Sequence, residues 1–491
     1  MKRPLTQKCM TYFVKAQGIM NTRLAVLLFP LLGLTLSGAA SQAAEHAGFP
    51  LQTSPASGGE GTVEQSDTNA YSLPQANLSM TRRLEFSVGN SFFRNPWVEA
   101  PASTDARDGL GPLFNTNSCQ GCHIKDGRGH PPGVDSPPVS LFLRLSVPAD
   151  PEQDQKVLKV HGFKPATVYG AQLQTAALPA AKPEADLVLE WQSRRATLAD
   201  GTKVELREPV YRIENPNYGP LPEDLQVSPR VAPQVIGMGL LEAIPVAALE
   251  ALADPEDTND DGISGKLNRV WDLAAKQTVA GRFGWKAGEP SVQEQSMEAF
   301  AGDMGLTSTL QPSTDCRPDQ QCQRFTAGGT PEVSDKVADF VTFYARSLAV
   351  PARRNMDRDS VQQGARVFNE SGCAGCHTPT HTTGKVADRP DLSHQTIWPY
   401  TDLLLHDMGP ALADGRPEFL ASGNEWRTPP LWGIGLAQVV NPQSGFLHDG
   451  RARTLEEAIL WHGGEADAAA DRYRQMHGGE RQALIDFLQS L

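Results

Sequence analysis

Two stretches of the 491-residue chain carry residue types and spacings suited to redox chemistry: Asn117-Ser118-Cys119-Gln120-Gly121-Cys122-His123 and Glu370-Ser371-Gly372-Cys373-Ala374-Gly375-Cys376-His377. In each, two cysteines separated by two residues lie one helical turn apart. Both thiols can then reach the vinyl groups of one haem, and the adjoining histidine lies under the iron. A Cys-x-x-Cys pair alone also suits half a zinc site or a thioredoxin-like dithiol, but the histidine that follows both pairs selects attachment of two covalently bound c-type haems. Cys119, Cys122, Cys373 and Cys376 are the expected attachment points, with His123 and His377 as iron ligands.

The opposite face of each iron needs a second donor or an opening. Thr454 begins a capping box with Glu457, and on the helix that follows, Leu455, Ile459 and His462 fall at i, i+4 and i+7. His462 therefore sits on an apolar face, where a histidine is either a satisfied core residue or a ligand to something buried. With haem in the chain the ligand reading is preferred, and Met408 in His-Asp-Met-Gly is its rival. His130, in the turn-rich loop 125–133, reads as a solvated loop histidine, with a distal haem role as the alternative. Asp257-Thr-Asn-Asp-Asp-Gly-Ile-Ser-Gly265 places oxygen donors at alternate positions and glycine sixth, the first half of a calcium loop. Asn268 stands where a bidentate glutamate would complete it, so a calcium ion on Asp257, Asn259 and Asp261 and a metal-free Asx-turn loop both fit.

Two cysteines beyond the leader remain. Cys316 and Cys322 lie in a polar loop and pair most simply as a disulfide in an exported protein, a redox-active dithiol being the sharper alternative. Export is expected from Arg23, the apolar run 24–36 and the small residues 37–43. The run is short for a span and broken by Pro30, so a cleaved signal peptide over 1–43 is preferred to a retained anchor, and the mature protein is expected in the periplasm with no stable membrane span. Lys+Arg 44 against Asp+Glu 57 gives a net charge of -13, with no basic block for nucleic acid. The leader carries five basic residues and no acid, so the mature chain is more acidic still. Its natural complement is a basic electron donor.

The elements that must position these residues are mostly helical in pattern. Residues 44–80 are rich in small and polar residues and read as an extended lead-in. Ser334 caps an amphipathic helix carrying Val337, Phe340, Val341, Tyr344 and Leu348, and a second begins near Asp359 and runs into the second cysteine pair. Helical pattern also covers 235–252. Between 139 and 230 the period changes: 139–145 and 187–191 look like strands, and 196–206 is a hairpin turning at Asp200-Gly201. The expected fold is mainly α: two cytochrome c-like haem domains, 81–333 and 334–491, with a β-rich insertion at 139–230 packed beside the first.

Taken together, the two haem stretches in order, with Thr428-Pro-Pro-Leu431, His448-Asp-Gly450 and Thr454-Leu-Glu-Glu-Ala458, resemble the bacterial di-haem cytochrome c peroxidase and MauG superfamily. In particular the chain is similar to the branch called di-haem oxidoreductase or "putative peroxidase", also catalogued as thiol oxidoreductases. The resemblance runs from about Leu84 to Leu491. It implies one reactive haem and one electron-relaying haem with a tryptophan between them, and the matching residues are Trp285 and, ten positions on, the distal glutamine Gln295. Without that resemblance Trp285 reads as core. An acid follows the glutamine in the family, and Glu298 and Asp303 both qualify, with Asp303 preferred. The family's sixth ligand to the second haem matches His462, which implies bis-histidine ligation. The family also holds calcium with Thr-Pro-Pro carbonyls, which makes Thr428 and Pro430 candidates beside Asp257, Asn259 and Asp261, as one site or two. The implied activity is peroxide reduction at haem 1, on His123, with electrons relayed by haem 2. The partners would be a small cytochrome or cupredoxin donor and peroxide or oxygen. A non-catalytic electron-transfer cytochrome and an oxygenase resembling rubber-cleaving di-haem enzymes are the alternatives. The insertion departs from the compact peroxidases, and the thiol label finds no support in the cysteines.

Overall fold

Gly89 and Gly364 mark two helix crossings built on one plan. Helix Met80–Arg94, capped by the Ser79 hydroxyl, packs on helix Asp335–Ser347, capped as expected by Ser334. A Cβ on Gly89 would overlap the Phe340 carbonyl oxygen, so the absence of a side chain is what lets the two backbones meet. Helix Asp359–Glu370 packs on the terminal helix Gly478–Ser490 in the same way, Gly364 lying against the Ala483 carbonyl. Four residues after each glycine, one turn on, a phenylalanine shares its face. Phe93 lies 5.1 Å from Tyr344 and 6.2 Å from His123, and Phe368 lies 5.1 Å from Phe487 and 6.4 Å from His377. One unit is thus used twice: a helix, a Cys-x-x-Cys-His stretch, and a returning helix that packs across the first. Helix Asp335–Ser347 serves the first of these units, whereas the sequence reading placed 334 at the start of the second domain.

These features come from a computed structural model that describes residues 49–133 and 136–491. The signal peptide expected over 1–43, with Cys9, lies outside the described residues. Gly48–Leu491 forms one packed body. Within it, the expectation of a mainly α fold is overturned. Among the described residues only about 30% are helical and 18% are in strands or bridges, with six two-stranded antiparallel sheets. The physical reason is the chain's 44 glycines and 38 prolines, which cut helices short and leave paired extended segments between them. Pro245 is one instance: the single helix expected over 235–252 is two, Met238–Glu242 and Val246–Glu250, with that proline between.

The β-rich segment is present, but it reaches further than expected. Strand Leu141–Ser146 pairs with Gln226–Val231, Leu141 opposite Val231, and buries Leu141, Leu143 and Leu145 against Trp285 and Trp426. The hairpin is longer than its pattern suggested, Asp186–Thr197 with Lys203–Glu214. Its turn uses Gly201 at φ +84, with the Thr202 N–H donating to Asp200 Oδ1 at 3.0 Å. Its tip docks on the second unit rather than the first: Leu198 and Leu206 share a core with Phe368, Trp461 and Phe487, the Ala199 N–H donates to the Arg474 carbonyl, and Arg481 pairs with Asp200. Residues 49–79, expected as a lead-in, are packed across both units. Tyr71 is buried with its hydroxyl on the Gly433 carbonyl, and Gln52 Oε1 accepts from the Tyr400 hydroxyl. Cys316 and Cys322 form the expected disulfide. Among the described residues no helix is long and apolar enough to cross a membrane.

Candidate functional site

The first cysteine pair sits on a single helical turn, Cys119–Cys122, capped by the Ser118 hydroxyl, which accepts from the Gly121 N–H at 3.2 Å. Both thiols are free, and burial pushes Cys119 up to about 12 and Cys122 well above its usual value. Groups so firmly protonated are poor at dithiol exchange. His123 follows at the end of the turn. Its Nδ1–H donates to the Pro233 carbonyl at 2.6 Å, which fixes the tautomer and leaves the Nε2 lone pair free, and burial lowers its pKa so that the ring is neutral. Pro233 lies just beyond strand Gln226–Val231, and the Val231 carbonyl accepts from Trp285 Nε1 at 2.8 Å. The last strand of the insertion therefore holds the histidine and the tryptophan together.

Helix Val292–Met304, capped by the Ser291 hydroxyl, supplies the distal candidates. Gln295 and Trp285 are brought together through Gly284, where an added Cβ would stand 3.5 Å from Gln295 Oε1. The two acids separate. Glu298 pairs with Arg144 of strand Leu141–Ser146. Asp303 Oδ1 accepts from Gln172 Nε2 at 2.8 Å and lies close enough to Cys119 for its charge to raise that thiol further. Burial, opposed by Arg144 and Gln172, lifts the Asp303 pKa to about 6.

At the second site, Gly372 at φ +83 turns the chain from helix Asp359–Glu370 into Cys373–Gly375. Cys373 and Cys376 are free and raised by burial. The His377 Nδ1–H donates to the Tyr400 carbonyl at 3.0 Å. His462 is not on the helix as expected but just past it: Leu455–Trp461 ends, His462 turns extended at ψ 134, and its Nδ1–H donates back to the Ala458 carbonyl at 2.7 Å. Both rings thus present a free Nε2. His377 falls to about 4, first through burial and then through the nearby His462. Met408, the rival ligand, is half-buried between the two cores that hold Trp461 and Trp285. Its neighbour His406 is not a ligand. Asp402 at 2.8 Å and Glu465 at 2.6 Å hold both ring nitrogens, and although burial alone would lower its pKa, Asp402 and the Cys376 sulfur raise it well above the usual value.

Sequence reasoning passed over the residues that surround Trp285. His448 lies 6.4 Å from it, edge to face, and stacks on Trp426 at 3.8 Å and 11°, while the Arg128 guanidinium lies 5.5 Å from the Trp285 ring. Burial keeps His448 neutral, lowering it to about 4. The signal was there in Phe446-Leu-His-Asp-Gly-Arg451, read only as a family mark. His130 stays in its loop, its N–H donating to the Ser140 hydroxyl. The oxygens of Asp257, Asn259 and Asp261 accept the loop's own N–H groups, the Asx-turn arrangement, and the Thr428 carbonyl already accepts from Thr401 and Arg427. Among the described residues no cluster of three or more His, Cys, Asp or Glu side chains is placed to hold a metal ion.

The donor set fits haem: two thiol pairs free and neutral, each with a histidine whose Nδ1 is pinned to a carbonyl and whose Nε2 is left free. A family described as "Di-haem oxidoreductase, putative peroxidase" matches residues 52–491. A solved structure titled Kuenenia stuttgartiensis Hydrazine Synthase Pressurized with 20 bar Xenon is similar at 19% identity and a TM-score of 0.23, over 37% of this chain and 65% of that one. No curated protein matches.

Proposed function

The chain belongs to the di-haem oxidoreductase family just described, so its chemistry is di-haem redox chemistry, and we propose that it is an exported, periplasmic, peroxidase-like enzyme carrying c-type haems. Cys119 and Cys122 would hold one haem above His123, and Cys373 and Cys376 the other between His377 and His462. When bound, the haems supply electron transfer, and the one with an open face supplies the place where peroxide reacts.

One asymmetry carries this reading. His377 has a second pinned imidazole, His462, near enough for its charge to act on the ring, whereas burial and the Pro233 carbonyl are the only influences that shift His123. The residues of helix Val292–Met304, which reaches the first cysteine pair through Asp303, suit an incoming peroxide. The Gln295 carboxamide orients the two oxygens. Asp303, titrating near 6, would carry a proton from one peroxide oxygen to the other as the O–O bond breaks, and two electrons from the donor with two solvent protons complete the reduction to two waters. Trp285, locked by Val231 and flanked by Arg128, serves as the aromatic bridge toward the second site. The acidic surface favours a small basic cytochrome or cupredoxin as donor.

Steady-state assays of the holoprotein with hydrogen peroxide and a panel of reduced basic cytochromes test the proposal. Donor oxidation that depends on peroxide is expected, and Gln295→Ala should lower kcat about 10²-fold or more with both haem spectra unchanged. Failure of every donor to be oxidised on adding peroxide would contradict it.

A further inference from the structure

Arg416 is fully buried, and its Nη1 donates to Glu418 Oε2 at 2.6 Å while its plane lies over the Phe163 ring, 3.9 Å from Cζ to the centroid. Its Nε and Nη2 have no partner among the described residues. These two N–H groups form the edge of the guanidinium that grips a carboxylate in bidentate fashion. Burial lowers the Arg416 pKa only to about 10, so the edge stays charged at neutral pH and a buried donor left unmade is costly. Arg144 brings a second unpartnered donor, Nε, its Nη1 being on Glu298. Arg230 stands beside it: Phe142 pairs with Arg230 and Arg144 with Ser228, which puts both arginines on one face of the two-stranded sheet. Arg230 Nη2 donates to the same Glu418 at 2.8 Å. Arg416 and Arg230 thus meet on one carboxylate with Arg144 beside them, and Arg416 and Arg144 retain spare donors.

We propose that Arg416, backed by Arg144 and Arg230, is a carboxylate-binding site whose Nε–Nη2 edge receives both oxygens. The carboxylate has two sources. Arg144 pairs across the backbone with Gln172, Gln172 donates to Asp303 at 2.8 Å, and the Asp303 carbonyl accepts from the Asn115 and Thr116 N–H groups just before the first cysteine pair, so the cluster adjoins the first haem site and a haem propionate is the internal source. A free small carboxylate is the external one. The competing account is a water bridging Arg416 to the unpartnered Asp414 Oδ2. The site concerns binding and not turnover, so it stands or falls apart from the peroxide reading.

The test compares holoprotein with its R416Q and R416K variants in two arms. In potentiometric titration of both haems, a propionate source predicts a negative shift of one midpoint in R416Q, because the lost cation no longer opposes the oxidised state. R416K should give a smaller shift in the same direction, and the other midpoint should not move. In calorimetric titration with acetate, a free-ligand source predicts saturable one-to-one binding to the unaltered protein, weakened at least tenfold in R416Q. Either result supports the site and names its source. Unmoved midpoints together with no acetate binding to the unaltered protein would overturn it in favour of water. If R416Q fails to fold, as judged by thermal unfolding, R416K supplies the comparison in both arms.

Discussion

At each haem stretch the two nitrogens of a histidine have separate tasks. Nδ1 is spent on a main-chain carbonyl, of Pro233, Tyr400 or Ala458, and this fixes which way Nε2 points. His462→Ala is therefore expected to convert the second haem from low to high spin in the ferric absorption and EPR spectra and to leave the first unchanged; an unaltered low-spin signal would pass the ligand role to Met408. Asp303 makes a pH prediction. Its carboxyl, raised by burial to about 6, accepts a proton only when ionised, so the peroxide-dependent kcat should rise with pH through about 6 and level off above. Asp303→Asn should remove that limb while leaving the spectra intact, and a limb that survives the change would assign it to another group. Lys286 is a stability case. Its fully buried ammonium donates to Asp414 and to the Arg416 and Ser422 carbonyls at 2.7–2.9 Å. Lys286→Met would leave Asp414 buried and uncompensated, and denaturant unfolding should register a loss of about 3–5 kcal/mol.

Among the elements, the two glycine crossings are the most exacting. Gly89→Ala and Gly364→Ala each drive a methyl group into a carbonyl of the facing helix, and each should cost about 1–3 kcal/mol in thermal unfolding, with the haem of the affected unit attached less completely. Much of this level was legible in the sequence. Ser334, Thr454 and the apolar spacing placed the helices, and Asp200-Gly201 placed the hairpin turn, because caps and turns are local chemistry. What could not be read was long-range. Nothing in residues 335–347 says that their partner is Met80–Arg94 rather than the nearer second haem stretch. Nothing in the hairpin's alternation says that its tip seats on Arg474 and Arg481. The same limit held at the site. Cys-x-x-Cys-His is a local signature, whereas Trp426 and His448 gain their meaning only when strand and loop meet around Trp285. The choice of His462 assumed a helix that in fact stops one residue short of it.

For the whole molecule, the β-rich segment is a structural tie as much as an insertion. One pair of its strands positions His123 and Trp285, and its long hairpin reaches the core of the second unit. The thiol label carried by this branch finds its only disulfide among the described residues at Cys316–Cys322, a short loop whose Cα atoms are 6.3 Å apart. Replacing both with serine should cost about 2–3 kcal/mol by loop-closure entropy and leave both haem spectra and peroxide turnover unchanged, and lost turnover in a folded double variant would make the pair redox-active after all. The claim on which the account turns is that one iron keeps an open face while its twin is closed by His462. EPR of the ferric holoprotein at low temperature measures this most directly. One high-spin haem and one low-spin bis-histidine haem in equal amounts is the predicted result; two low-spin haems, neither yielding its sixth position to added cyanide, would contradict it.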